Sequence, residues 1–294
     1  MLSGPHIRPP HRLEEPNRSP RRAGGCGRFE HSSDLPAQYE GVEVYEGKPA
    51  LVYPRRRPEA SRVFVCLSFC GGGTSPMHAW SRAVPDDVEV VLVCYPGRES
   101  RYGEPYAADW EELASEVTEA LVSFVRRPYV LVGHSMGGWL AFDVAARLQR
   151  STRPGPYGLV VSASEPPSGW ADQQTRPPFV TDTDEQLLAW MRDSGQLSPV
   201  VLAEPDLRDM AVSLLRADLR VSDSYRYAPG TVLDLDINVL FGAEDPVADR
   251  TAAHGWRDLT RGRCRVTELP GGHFYTPDVW ATLPRYMTVP SSPR

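Results

Sequence analysis

Residues 133–137 read Gly-His-Ser-Met-Gly, and Ser135 is the residue most suited to covalent chemistry. The pentapeptide follows an apolar run, Tyr129–Val132, and precedes a helical stretch from Met136 to Arg150. A serine on the sharp turn between a buried strand and a helix projects its hydroxyl from the C-terminal edge of a sheet, the arrangement called a nucleophile elbow. The pentapeptide alone is a weak signal, and the strand–turn–helix context gives it weight. A serine hydroxyl attacks a carbonyl only with help. It needs a base to take its proton, an acid to orient the base, and donors to hold the oxyanion.

In sheets of this kind the partners follow the nucleophile in the order acid, then histidine. Two histidines lie beyond Ser135. His254, in Ala-Ala-His-Gly-Trp-Arg, reads as a surface or packing residue of a helix. His273, in Pro-Gly-Gly-His-Phe, sits on a loop just past a strand ending at Leu269, where a general base must project. Asp245, after the strand Ile237–Phe241, is the expected acid, with Glu244 beside it pointing away. Glu165, just past Gly158–Ser162, is the rival; either carboxylate could instead cap a helix. The oxyanion donors are expected to be two backbone N–H groups. One belongs to Met136, and the other to Cys70 or Gly71 in the run Cys70-Gly71-Gly72-Gly73.

The elements that must position these groups alternate. Val63–Phe69, Val88–Cys94, Tyr129–Val132, Gly158–Ser162, Ile237–Phe241 and Arg265–Leu269 read as strands. Trp110, Leu113, Val117, Leu121 and Phe124 recur at helical spacing. Apolar strands alternating with helices imply a mostly parallel sheet covered on both faces. Gly41–Tyr45 and Ala50–Tyr53 could pair antiparallel at its edge. Residues 165–230 hold no convincing strand but two amphipathic runs, Asp184–Asp193 and Asp206–Asp223. They predict a helical lid over Ser135, with Leu and Met side chains toward the substrate.

With 294 residues, the chain holds one ordinary α/β domain plus an insertion. Residues 1–40 are rich in Pro, Arg and Gly, without apolar periodicity or the apolar middle of a secretory signal. They read as a disordered N-terminal tail, a gene start placed too early, or a docking tail, and 41–294 as the domain. The net charge of −6 is spread along the chain, Lys48 is the single lysine, and no basic stripe argues for nucleic acid. No apolar run is long enough for a membrane span. Five scattered cysteines without a C-x-x-C suggest free thiols and a cytoplasmic location. Cys66 and Cys70 lack further partners at metal-ligand spacing, so no metal is expected.

Several separated blocks resemble the type II thioesterases of polyketide and nonribosomal peptide pathways. They are the strand and glycine loop at 66–75, Tyr-Pro-Gly-Arg-Glu-Ser-Arg-Tyr-Gly-Glu-Pro at 95–105 and the elbow. Leu-Arg-Ala-Asp-Leu-Arg at 215–220, Ser-Tyr-Arg-Tyr at 224–227, Gly-Ala-Glu-Asp-Pro and Pro-Gly-Gly-His-Phe-Tyr follow. The resemblance spans roughly residues 62–287, and the 95–105 block is its most specific part. It implies an α/β-hydrolase fold, a Ser135–Asp245–His273 triad, and hydrolysis of stalled or misprimed acyl groups. Those groups would ride on the phosphopantetheine arm of acyl or peptidyl carrier proteins. It implies no cofactor beyond that arm, which the substrate brings, and a monomer is expected. One departure is visible: Ser68, Phe69 and Cys70 stand where that family usually has a proline and an aromatic or histidine before its glycines. A carboxylesterase or acyltransferase on the same scaffold, or a non-catalytic binding protein, are the competing readings.

Overall fold

The computed structural model describes Met1, residues 50–169 and residues 176–288. Apart from Met1, the tail at 1–40 lies outside the described residues, as does the strand expected at Gly41–Tyr45. Seven strands form one sheet in the order β1-β3-β2-β4-β5-β6-β7. They are β1 (Ala50–Val52), β2 (Arg62–Leu67), β3 (Val88–Cys94), β4 (Tyr129–His134), β5 (Gly158–Ser162), β6 (Asp236–Gly242) and β7 (Cys264–Leu269). β1 runs antiparallel to β3, and the other pairs are parallel. β2, β3, β4 and β5 are apolar along nearly their whole length because both faces are covered.

One face packs on α1 (Trp110–Phe124) and α2 (Met136–Gln149), through Leu113, Val117, Leu140 and Val144. The other packs on a 3-10 helix, Ser75–Arg82, and on the C-terminal segment, through Met77, Trp80, Val279 and Leu283. Asp109 starts α1 by accepting the Glu112 N–H, a cap contributing about 1 kcal/mol.

Between β5 and β6 the chain leaves the sheet for α3 (Asp184–Asp193), α4 (Pro199–Ala203) and α5 (Pro205–Ser224). α3 opens with a full capping box, Thr183 with Gln186. α3 and α5 share a small core of their own, made of Leu187, Met191, Val212, Leu215 and Leu219. Burying each such leucine contributes about 1.5–3 kcal/mol, so the insertion has its own reason to stay folded.

Strand order reverses direction between β2 and β4. The crevice at the C-terminal ends of two strands that diverge in this way is where open α/β sheets bind ligands. The glycine loop leaves β2 there and Ser135 leaves β4, so the topology alone brings the two together.

Candidate active site

Ser135 sits at φ 55° and ψ −123°, a conformation costing a non-glycine residue about 1–3 kcal/mol. The turn is held from both sides. The Ser135 N–H donates to Ser162 O at 2.8 Å, and the Gly138 N–H donates to Ser135 O at 2.8 Å. Gly137 is glycine because α2 enters against the end of β2: a Cβ there would lie 2.5 Å from Ser68 O.

His273 Nε2 lies 3.0 Å from Ser135 Oγ, and His273 Nδ1 lies 2.9 Å from Asp245 Oδ2. The loops carrying the last two residues are joined by backbone bonds. Ala243 N–H donates to Leu269 O at 2.8 Å and Glu244 N–H to Gly271 O at 2.9 Å. Glu244 itself is exposed, as its sequence context suggested. The Asp245 carboxylate is fully covered, and its second oxygen, Oδ1, accepts the N–H groups of Val247 (2.9 Å) and Ala248 (3.2 Å). Burial pushes this carboxyl group up; the bond to His273, the charge of that ring and the two N–H groups more than offset it. The result lies below the usual carboxylate range. Asp245 therefore both holds a turn and meets the imidazole.

Glu165 does neither. Its Oε1 accepts from Arg176 Nη1 and Nη2 at 3.2 Å, and its carbonyl accepts the Trp139 indole N–H at 2.7 Å. Burial raises its carboxyl group above the ordinary value despite Arg176. His254 falls on α6 (Arg250–Gly255), where it is exposed.

Met136 opens α2, at a position whose N–H has no intrahelical acceptor. Cys70 stands beside it, with sulfur-to-sulfur contact at 3.3 Å. The two other sequence candidates separate here. The Gly71 N–H donates to Asp218 Oδ2 at 2.7 Å and is already engaged. The Cys70 N–H bonds no other described residue. Of the three sequence candidates, Gly71 is thus the one whose N–H is already bonded to a side chain. The Cys70 thiol is pushed well above its ordinary pKa by burial and by the Asp218 carboxylate, with Arg98 opposing. It stays a neutral thiol.

Behind His273 lies a residue that motif reading passed over. His134 is buried, with Nδ1 3.0 Å from Ser162 Oγ, which is 2.7 Å from the Tyr275 hydroxyl. Its ring stands 5.3 Å from that of His273. Burial first, and then the His273 charge, hold it far below the ordinary histidine value, so it stays neutral. Its place between an apolar strand and Ser135 was the one hint in the sequence.

Ser135, His273 and Cys70 open on a cavity of about 350 Å³. The helical insertion supplies much of its wall. The lining differs from expectation, because Leu187, Met191 and Leu215 face the insertion's own core. Met210 and Leu207 are among its exposed apolar residues. Trp190 and Leu219 reach the cavity instead, joined by Trp139, Phe179 and the polar Arg176 and Asp223.

A thioesterase-domain family profile matches residues 62–281. The chain belongs to the thioesterase family. It is 35% identical over 211 residues to a probable cadicidin biosynthesis thioesterase of Streptomyces griseus, covering 72% of this chain and 57% of that protein. It is 31% identical over 223 residues to the medium-chain S-acyl fatty acid synthase thioesterase of Rattus norvegicus, covering 75% and 83%. It is 34% identical over 247 residues to AmbE, an antimetabolite synthetase of Pseudomonas aeruginosa, where the match takes 83% of this chain and only 11% of that one. Among solved structures, the RedJ thioesterase of the prodiginine pathway of Streptomyces coelicolor superposes with TM-score 0.71 at 33% identity, covering 79% and 88%. BorB, the type II thioesterase of the borrelidin cluster, superposes with TM-score 0.69 at 30% identity, covering 80% and 96%. The α/β-hydrolase fold and hydrolytic action on thioesters come with this membership. No helix of the described residues is long and apolar enough to cross a membrane.

Proposed function

We propose that this chain is an editing thioesterase, hydrolysing stalled or aberrant acyl groups from the phosphopantetheine arm of acyl or peptidyl carrier proteins. The observation that carries the reading is the unbroken series Ser135 Oγ, His273, Asp245, at 3.0 and 2.9 Å, opening on a cavity walled by the helical insertion. The biosynthetic roles printed for RedJ, BorB and the Streptomyces griseus relative support the carrier-bound substrate.

In the mechanism, His273 Nε2 takes the Ser135 proton as Oγ attacks the thioester carbonyl. Asp245, accepting the Nδ1–H, fixes the tautomer with Nε2 free and stabilises the imidazolium that forms. The Met136 and Cys70 N–H groups receive the developing oxyanion. The tetrahedral intermediate collapses, the C–S bond breaks, and the thiol leaves with the proton from His273. Thioester sulfur gives the carbonyl little resonance and departs readily, so attack and oxyanion support are the demanding steps. Water then enters, gives a proton to His273 and attacks the acyl-Ser135 carbonyl; the acyl–Oγ bond breaks, Oγ takes the proton back from His273, and the carboxylic acid leaves. The chemistry calls for no metal or cofactor. The enzyme acts as a cytoplasmic monomer on carriers that come to it.

The test is acyl release from carrier proteins loaded with acetyl, butyryl, hexanoyl and aminoacyl groups, with free esters alongside. Release should fall at least about a thousandfold in Ser135→Ala. A large preference for the free esters would assign the protein to carboxylesterase chemistry instead.

A further inference from the structure

Phe69–Gly72 form a tight turn, closed by the Gly72 N–H donating to Phe69 O at 2.9 Å. Gly71 occupies its third position with φ +72°, the value a type II turn requires there. The central peptide of such a turn, here Cys70–Gly71, turns over between the type I and type II forms unless something holds it. In this chain both of its polar atoms are held, and both by the helical insertion. Gln196, between α3 and α4, donates from Nε2 to Cys70 O at 2.9 Å. Asp218, on α5, accepts the Gly71 N–H at 2.7 Å through Oδ2.

Asp218 is itself fixed by a residue of the 95–105 block. Arg98 reaches it with both terminal nitrogens, Nη1 to Oδ2 at 2.8 Å and Nη2 to Oδ1 at 2.6 Å. The Arg98 and Asp218 side chains are only 5% and 4% exposed, so the fork is shielded from water. Nη1 also donates to Gly72 O at 2.6 Å, the next carbonyl of the same loop. Three segments distant in sequence thus converge on one turn, and none of these three side chains lines the cavity.

We propose that Arg98, Asp218 and Gln196 are positioning residues that hold the whole Phe69–Gly72 turn in one register, and with it the Cys70 N–H, which the turn carries on its first peptide, at the oxyanion site. The proposal rests on the hydrolase reading above. It makes the accuracy of the oxyanion site depend on the helical insertion staying seated, because two of the three holding groups ride on that insertion. A charge-assisted fork between buried partners gives the loop a single register, where a lysine or a water would leave it several.

Three arms test it. In the wild type, hydrogen exchange should show the Gly71 amide protected like the strand amides of β2; exchange at the rate of an exposed loop would overturn the proposal. In Asp218→Asn, the amide cannot accept from Gly71 and both Arg98 nitrogens together. With its melting temperature kept, kcat should fall about 10- to 100-fold while KM moves less than about threefold, a loosened rather than deleted donor. Affinity for an alkyl boronate, whose tetrahedral adduct carries an oxygen at the oxyanion position, should fall in parallel with kcat/KM. A folded Asp218→Asn enzyme within about threefold of wild-type kcat overturns it. Should that variant fail to fold, the half-buried Gln196→Ala decides: a several-fold loss in kcat with KM unchanged supports the lock, and no loss refutes it. A wild type that releases no acyl group from any carrier would instead refute the hydrolase reading and leave the Gly71 protection to be judged by itself.

Discussion

Replacing Asp245 by asparagine should disable the base by a route that the hydrogen bonds dictate. Asp245 Oδ1 faces two backbone donors, the Val247 and Ala248 N–H groups, while Oδ2 faces His273 Nδ1. An asparagine has one acceptor oxygen. Placed toward His273, it would leave an NH₂ group pressed against two N–H donors in a covered site, costing several kcal/mol. The oxygen therefore takes the Oδ1 place and the NH₂ group faces Nδ1. The ring can then only accept at Nδ1 and must carry its proton on Nε2, the atom that has to take the proton of Ser135. A base locked in that tautomer costs about 10³–10⁴-fold in kcat, roughly 4–5.5 kcal/mol of transition-state free energy. Glu165→Gln should stay within about threefold, since its carboxylate meets Arg176 and not the imidazole. Steady-state release of an acyl group from a loaded carrier protein measures both. Asp245→Asn retaining more than about a tenth of wild-type kcat, or Glu165→Gln being the crippling change, would refute the argument.

Two further outcomes follow from geometry and charge. Gly137→Ala should lower stability by about 1–3 kcal/mol or more in urea unfolding, because the new methyl group meets the Ser68 carbonyl rather than a movable side chain; a tolerated alanine would contradict the close approach of α2 to β2. His134, held neutral by burial, binds a proton in the unfolded chain below about pH 6.5 but not in the folded one, so folding stability is lost as pH falls through that point. His134→Phe should remove up to about 1.4 kcal/mol per pH unit of that acid dependence between pH 6.5 and 5, and parallel stability curves would refute it.

The strands and long helices were legible because each carries its own signal. Val88–Cys94 and Asp184–Asp193 begin and end where the apolar pattern places them, while β4 runs two residues past the expected Val132, to His134 at the elbow itself. β2 stops at Leu67 rather than Phe69, since the backbone turns into the glycine loop. The 3-10 helix Ser75–Arg82 was missed: its start is held by Glu99, whose carboxylate accepts from Thr74 and Ser75, and no local pattern shows a cap 24 residues away. The convergence of Ser135, His273 and Asp245 could be read because each follows a strand end. The locked loop could not, since Arg98 and Asp218 stand 120 residues apart. One sign was present: Asp218 interrupts the apolar stripe Leu215–Leu219, and a charge in a buried stripe calls for a buried partner. The cavity lining was misjudged because a helix pair with its own core turns Leu187, Met191 and Leu215 inward and offers Trp190 instead.

The central claim is a covalent one, that the acyl group passes through the oxygen of one serine. Mixing the protein with an acyl-loaded carrier, quenching within milliseconds and mapping the added mass by peptide tandem spectrometry reads it directly. The account predicts the acyl mass on Ser135, present in wild type and absent from Ser135→Ala. Acyl mass on Cys70, the neutral thiol that lines the same cavity, or turnover with no acyl-enzyme in either protein, would contradict it.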